Sequence, residues 1–247
     1  MGDVVVGGLR TGAPATFVYL TAGDDGRDSA YWHTRERAAM ASLRIAAGTT
    51  IEKGDSANCD SVSVRGHSVR RCVLANTESL FLRLPDGNRN GAGFARTNHQ
   101  SMRRLRARKI PAITAVDGST TYQGWGDLVS TVGELVNTDS GEKPEVHTSD
   151  PNVAINPHDH FDHRIAGLLV ADLTRQRDLD LRYYVGYALG TRAPNRSSAQ
   201  AREKTELFIA YNREMMRSDS KWSAYGEHPK FYSDCMLRTY SRIPRAK

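Results

Sequence analysis

The stretch Thr16–Arg27, TFVYLTAGDDGR, decides how the chain is expected to fold. Its first half is a run of β-branched and aromatic residues that favours a strand, and its second half is a turn cluster of Gly and Asp. Ala, Met, Leu and Arg dominate the segment Tyr31–Ala47, and Gly48 follows it, which is typical of a helix and its C-terminal end. The stretch therefore predicts a strand, a turn and a helix in succession.

Strands and helices alternate along most of the remaining chain. Helices are predicted over Asp127–Val136, Ile165–Leu173 and Ser198–Met216. Strand-like runs are Val62–Val64, Ser68–Leu74, Ser79–Leu84, Pro144–Thr148 and Leu181–Tyr187. This alternation favours an α/β fold with a mostly parallel, Rossmann-like sheet that carries helices on both faces. The length of 247 residues is compatible with a single domain over residues 1–247.

Composition and charge exclude several classes of protein. The chain has 34 Lys and Arg against 28 Asp and Glu, and its net charge of +6 favours anionic partners only weakly. A basic cluster between Arg103 and Lys109 has no interleaved aromatic residues, so we expect a solvated helix face there and no nucleic-acid partner. No apolar run approaches the roughly 18 residues that a membrane span requires. The sequence does not decide the oligomeric state.

The start of the chain and its cysteines bear on the compartment. Residues 1–6, MGDVVV, lack the positive region and the long apolar segment of a secretion signal. The three cysteines, Cys59, Cys72 and Cys235, are too few and too scattered for a disulfide framework, which fits a reducing compartment. We therefore expect a cytoplasmic protein, with the reservation that Cys59 and Cys72 could bridge if the protein were exported.

Three of the eight histidines fall within six residues, in the string PHDHFDH at 157–163. Imidazole suits Zn²⁺, Fe or Ni, and a nearby carboxylate can fix the tautomer of a ligating His by accepting its other N–H. The string precedes the helix predicted from Ile165, so His163 is expected in the first turn and His160 in the loop ahead of it. The alternative is a polar loop with an Asp cap and solvated histidines. Such tight clustering favours a metal or catalytic site.

Two metal-dependent families share this string. As His-x-His-x-Asp-His it matches the metal motif of the metallo-β-lactamase superfamily, but that motif normally lies early in its domain and needs further His ligands downstream, where only His228 follows. As His-x-Asp-His (His160, Asp162 and His163) it resembles the C-terminal motif of the PIG-L/LmbE-like N-deacetylases. That family includes enzymes that deacetylate N-acetylglucosaminyl-phosphatidylinositol, the mycothiol precursor and glycopeptide antibiotics.

The resemblance to the N-deacetylases covers nearly the whole chain, in the family's order. Residues 18–36 look like the family's second block, FLRLPDG at 81–87 looks like its LRLPDG block, and Asp150–Gly167 looks like its metal block. Residues 2–12 resemble the family from just after its first block. The His-x-Asp-Asp string that opens the family, together with the strand that leads into it, therefore has no counterpart in this sequence.

The resemblance implies a zinc-dependent hydrolase that removes an N-acyl group, acetyl or longer, from the N-acyl-glucosamine moiety of a small molecule or glycoconjugate. His163 would be a zinc ligand. Asp162 would orient a ligating or catalytic imidazole, and His160 would polarise the amide carbonyl or stabilise the oxyanion. The residues that hold sugar hydroxyls would be Arg35, Asp86 and, as a weaker candidate, Asp25.

The missing first block leaves alternatives open. In the family this block supplies two of the three protein ligands and the general base, and a catalytic zinc normally has three protein ligands plus water. The chain is expected to be a shortened version of a working enzyme, because its other blocks are intact. The alternatives are a homologue that binds sugar without hydrolysis and a metallo-β-lactamase-like hydrolase. Asp159 or Asp25 could replace the base, and His158 has no required role.

Overall fold

The computed structural model describes residues 2–49, 57–136, 143–219, 222 and 228–244. Seven α-helices and nine strands lie within these ranges. The helices are α1 (Gly2–Arg10), α2 (Ser29–Ala46), α3 (Met102–Arg106), α4 (Gly124–Leu135), α5 (Phe161–Leu173), α6 (Ser198–Ser218) and α7 (Pro229–Met236). The strands are β1 (Ala15–Thr21), β2 (Asn58–Val64), β3 (His67–Leu74), β4 (Thr77–Leu84), β5 (Ile113–Thr114), β6 (Thr121–Tyr122), β7 (Glu145–Ser149), β8 (Asp180–Tyr184) and β9 (Ser241–Arg242).

The described strands form three sheets with mixed pairing. The largest sheet has the order β1-β4-β3-β2, in which only β1 and β4 are parallel. A second sheet has the order β7-β8-β9, with β7 parallel and β9 antiparallel to β8, and β5 and β6 form an antiparallel pair. The α/β class is therefore confirmed. The described pairings are more often antiparallel than parallel, in contrast to the mostly parallel sheet that we expected.

Short turns explain the antiparallel pairs. Arg65 and Gly66 connect β2 to β3, and both have positive φ values, 51° and 83°. Positive φ at both central residues is the requirement of a type I′ hairpin turn, and a two-residue connection can only join antiparallel strands. The two strand-like runs are predicted from the sequence, but the Arg-Gly pair between them was not recognised there as a hairpin turn.

Most predicted helices are found within a few residues of their expected ends. The side chain of Asp28 caps α2 by accepting a hydrogen bond from the Tyr31 N–H, and Ser197 with Gln200 forms a capping box at the start of α6. Helix α1 was not predicted, because glycines lower helix propensity; it is stabilised by packing of Val6 and Leu9. Among the described residues no helix is long and apolar enough to span a membrane.

The core lies on both faces of β4. Leu80, Leu82 and Leu84 pack with α3, α4 and α5 on one face, and Phe81 packs with α2 on the other. This follows from the alternation of side chains along a strand. Helices therefore cover both faces of the main sheet, as expected. Because Leu169 in α5 belongs to the same core, the start of α5 is held beside the carboxyl end of β4.

A disulfide joins the two strands at the far edge of the main sheet. Cys59 and Cys72 lie directly opposite each other in the register of β2 and β3, and their sulfur atoms are bonded. The sequence left a Cys59–Cys72 bridge open for an exported protein, and the structure contains this bond. The reason is the unrecognised hairpin turn, since it brings residues 13 positions apart in sequence into one cross-strand pair.

Candidate functional site

Three segments meet at the carboxyl ends of β1 and β4. The carboxylate of Asp24, after β1, accepts hydrogen bonds from the N–H of Asp86 at 2.7 Å and from that of Gly26 at 3.1 Å. The carboxylate of Asp162, in the first turn of α5, accepts one from the N–H of Gly87 at 2.8 Å. These bonds connect the loop after β1 to the loop after β4, and that loop to α5. Open α/β sheets commonly bind ligands at this end.

Asp24, Asp86 and Asp162 form a group of carboxylates beside His160, which we call the carboxylate cluster. His160 Nε2 lies 3.8 Å from an oxygen of Asp86, and His160 Nδ1 lies 3.8 Å from an oxygen of Asp162. Asp86, His160 and Asp162 each offer a ligand atom, and these atoms lie within 4.8 Å of one another. Asp24 and Asp162 are buried, with 1% and 6% of their surface exposed. The arrangement can attract a cation.

Burial governs the ionisation of the cluster. It raises the pKa of Asp162 to about 7, against the Gly87 N–H that lowers it, and the charges of Asp86 and Asp24 raise it further. Burial is also the main reason that the pKa of Asp24 is raised. The Oδ1 atom of Asp162 is buried and has no hydrogen-bond partner. A bound proton or cation would reduce the repulsion among these carboxylates and would give Oδ1 of Asp162 a partner.

His160 is the N-cap residue of α5. Its Nδ1 accepts a hydrogen bond from the backbone N–H of Asp162 at 3.2 Å. Burial lowers the pKa of His160 below 6.5, against the charge of Asp86, so the ring is neutral near pH 7. A neutral ring that accepts at Nδ1 carries its proton at Nε2. His160 can therefore donate a hydrogen bond through Nε2.

In His163 the Nδ1 atom faces a hydrogen-bond acceptor, whereas in His160 it faces a donor. Nδ1 of His163 lies 2.8 Å from an oxygen of Asp159, whose side chain is fully buried, whereas 46% of the His163 side chain is exposed. An ionised carboxylate only accepts, so in the neutral ring Nδ1 carries the proton and Nε2 keeps its lone pair. The centroids of the His160 and His163 rings are 5.6 Å apart. The two imidazoles thus share one site, one as a donor and one as an available ligand.

Asp159 and Asp162 lie beside different imidazoles, and the expectation that Asp162 orients a ligating or a catalytic imidazole stays a prediction. Asp162 contacts the Gly87 N–H and lies near His160, and the carboxylate bonded to His163 is that of Asp159. The physical reason is helical geometry. Asp159 and His163 are four residues apart across the start of α5 and so lie on one side of the helix, whereas adjacent residues do not face each other. This spacing was visible in the sequence.

The expected sugar-holding residues lie at different places. Arg35, on α2, packs its guanidinium against Gly23, where an added Cβ would come within 2.7 Å of Nε. Asp86 belongs to the carboxylate cluster. Asp25 is exposed, with a φ of 50° and no hydrogen bond or ion pair to the cluster. Its neighbour Asp24 is the residue that enters the site. Asp24 was not predicted from the sequence, because a turn does not continue the alternation of the strand.

The remaining histidines of interest lie outside this arrangement. His158 is exposed with a φ of 60°, and His228 is exposed just before α7. Among the described residues neither belongs to the group whose ligand atoms approach one another.

An aromatic side chain borders the site beside His163. Tyr187 is 43% exposed, and its ring meets the His163 ring edge-on with centroids 5.6 Å apart. The Tyr187 ring also contacts the ring of Phe231 in α7, with centroids 5.7 Å apart. Tyr187 follows β8, so this strand also contributes to the same end of the fold. No local signal distinguished Tyr187 from the buried tyrosines Tyr183 and Tyr184.

Comparison with known proteins adds no relative. No protein-family model matches the chain, and neither curated proteins nor solved structures give a match. The resemblance to the N-deacetylases therefore depends on the motifs in the sequence, and the chemistry of the site depends on the geometry described above.

Proposed function

We propose that the chain is a zinc-dependent hydrolase of the PIG-L/LmbE-like type, a single Rossmann-like domain that removes an N-acyl group from an N-acyl-glucosamine moiety. The observation that carries this proposal is the pair of imidazoles with opposite arrangements. His160 presents an N–H and His163 presents a lone pair, with ring centroids 5.6 Å apart. Amide hydrolysis by a metal enzyme needs one group of each kind.

The donor set fits zinc in kind. By the resemblance, His163 would hold the ion through Nε2. Among the described residues, the group whose ligand atoms lie within 4.8 Å of one another consists of Asp86, His160 and Asp162 and does not include His163. The unpartnered, buried Oδ1 of Asp162 is an atom that a cation would satisfy. When bound, zinc lowers the pKa of a water molecule from about 16 to about 7 and so supplies a nucleophile at neutral pH. By the resemblance, two further ligands and the base would come from a His-x-Asp-Asp segment, which the printed sequence does not contain.

The chain's own residues would bind and polarise the substrate. His160 would donate its Nε2 hydrogen to the oxygen of the scissile amide as negative charge develops there. The N-cap bond from the Asp162 N–H holds this ring in the required tautomer. Arg35 and Asp86 would hold sugar hydroxyls. The exposed ring of Tyr187 would contact the sugar or its acyl group, because it lies beside His163.

Two expectations from the sequence stay predictions. The substrate could be a lipid, a mycothiol-type precursor or a glycopeptide antibiotic, and no contact in the structure separates them. Cytoplasmic localisation is the second of these predictions, and the Cys59–Cys72 disulfide instead favours an oxidising compartment.

A zinc titration combined with an activity assay tests the proposal. We expect a version of the chain that carries the His-x-Asp-Asp segment to bind Zn²⁺ at one site by calorimetry and to release acetate or a fatty acid from N-acyl-glucosamine derivatives. His163→Ala should abolish zinc binding. His160→Ala should keep zinc and lose turnover by about 10²-fold or more, the effect of one oxyanion donor.

Two outcomes would support the alternatives instead. Protein that binds the glycoside without zinc and without hydrolysis is a sugar-binding homologue. Loss of zinc in His228→Ala would favour a metallo-β-lactamase-like hydrolase, since His228 has no part in the proposed site. Full activity of His160→Ala would contradict the role given to that residue.

A further inference from the structure

The structure surrounds one carboxylate with hydrogen-bond donors alone. Asp159 accepts from the side-chain amide of Asn156 at 2.5 Å, from the backbone N–H of His160 at 3.0 Å and from Nδ1 of His163 at 2.8 Å. Its side chain has no exposed surface. Because every partner donates, only a side chain that has acceptors and no donor is suited to this position.

The partners of Asp159 are themselves held in place. Asn156 is fully buried; its amide also donates to the carbonyl of Asp150 at 3.2 Å, and its oxygen accepts from the N–H of Gly186 at 2.9 Å. This use of both ends fixes the orientation of the Asn156 amide, so that its NH₂ faces Asp159. Gly186 also packs closely, since a Cβ there would lie 2.7 Å from Asp159 Oδ2.

We propose that Asp159 is a positioning residue that selects the Nδ1–H tautomer of His163 and so directs the Nε2 lone pair outward to a divalent cation. The role toward the cation rests on the proposed function, whereas the choice of tautomer does not. A carboxylate that accepts the second N–H of a ligating His is a common means of orienting such ligands. Asn156 holds the Asp159 carboxylate by a hydrogen bond and Gly186 packs against it, so that Asp159 faces His163 with an acceptor oxygen.

The substitution Asp159→Asn separates this role from simple packing. An Asn of the same shape must place its NH₂ either at the position of Oδ2, which faces the NH₂ of Asn156, or at the position of Oδ1, which faces both the His160 N–H and Nδ1 of His163. The contact with Asn156 is the shortest of the three, at 2.5 Å, so the position of Oδ1 is the less costly one. Asn156 and the His160 N–H cannot change into acceptors, but the imidazole of His163 can, by moving its proton to Nε2. The variant should therefore convert His163 to the tautomer that cannot ligate through Nε2, without removing the ring.

The direct test is nitrogen NMR of the metal-free protein, with the His163 signals assigned by comparison with His163→Ala. We expect the proton of the neutral ring on Nδ1 in the natural protein and on Nε2 in Asp159→Asn. Calorimetry with Zn²⁺ should show an affinity loss of about 10- to 100-fold in the same variant. The matched control is Asp150→Asn, which weakens the ion pair of Asp150 with Arg242 in the same loop and leaves Asp159 untouched.

Several results would overturn the inference. These are an Nε2–H ring in the natural protein, an unchanged tautomer in Asp159→Asn, or an equal change in Asp150→Asn. If Asp159→Asn does not fold, Gly186→Ala replaces it, because the added methyl displaces the Asp159 carboxylate and should produce a mixture of tautomers. Failure of the proposed function would look different: the tautomers would follow the expectation while N-acyl-glucosamine stays intact.

Discussion

The backbone N–H of Gly87 donates a hydrogen bond to the carboxylate of Asp162 at 2.8 Å, across 75 positions of sequence. This bond connects the loop after β4 to the first turn of α5 and so brings the LRLPDG-like segment to the His-x-Asp-His motif. A Cβ at Gly87 would overlap Oδ1 of the same carboxylate. The contact is therefore close enough for a single methyl group to disturb it.

We expect Gly87→Ala to displace Asp162 and to destabilise the fold by about 1–3 kcal/mol, the usual cost of overpacking. Urea unfolding measures this loss. The double variant Gly87→Ala/Asp162→Ala provides the control, because removal of the carboxylate makes room for the methyl group. Its loss should be smaller than the sum of the two single losses. Additive losses would show that the methyl group and the carboxylate do not meet.

A matched pair of substitutions tests which aspartate of the Asp24-Asp25 pair supports the site. Asp24 accepts two backbone N–H groups in a buried position, so Asp24→Asn must place an NH₂ against one of these donors. We expect it to cost about 1–3 kcal/mol of unfolding free energy. Asp25→Asn, on the exposed neighbour, should stay within about 0.5 kcal/mol of the natural protein. Equal effects in thermal or urea unfolding would contradict the assignment.

Thiol counting tests the Cys59–Cys72 bond. The chain has three cysteines, so the denatured, unreduced protein should show one free thiol, that of Cys235, and three after reduction. The double variant Cys59→Ala/Cys72→Ala should lose about 3 kcal/mol of unfolding free energy, because the bond constrains a short loop in the unfolded chain. The matched control is Cys235→Ala, which should keep one disulfide. Three free thiols before reduction would restore the expectation of a reducing compartment.

His147 in β7 should make the protein sensitive to mild acid. Burial lowers its pKa below 6.5, Glu145 opposes the shift and Arg182 adds to it. The Nδ1 atom lies 2.9 Å from the Tyr184 hydroxyl. Below pH 6.5 the unfolded chain therefore binds this proton first, so the contribution to stability is complete above that pH and is lost as the pH falls toward the pKa of the folded state. Unfolding free energies at pH 7.5 and 5.5 should differ more in the natural protein than in His147→Gln. Identical differences would exclude this residue as the cause.

The resemblance and the local sequence patterns predicted only part of the candidate site. They located His160, Asp162 and His163 at the start of α5, because an apolar periodicity follows them directly. They predicted that Asp162 orients a ligating or a catalytic imidazole. In the structure Asp162 lies near His160, and Asp159, to which they gave no such role, pairs with His163. The carboxylates of Asp159 and Asp162 look equivalent in the sequence motif. Which imidazole each of them contacts depends on the direction in which α5 begins.

Local sequence determined most of the longer strands and helices of this protein, because side-chain periodicity, caps and turn residues act over a few positions. That is why α2, α5 and α6 are found close to their expected bounds. Tertiary structure decided how these elements pair and which carboxylates meet, because those outcomes depend on contacts between distant residues. The bonds from Asp86 to Asp24 and from Gly87 to Asp162 span 62 and 75 positions, and no local propensity specifies contacts of that range.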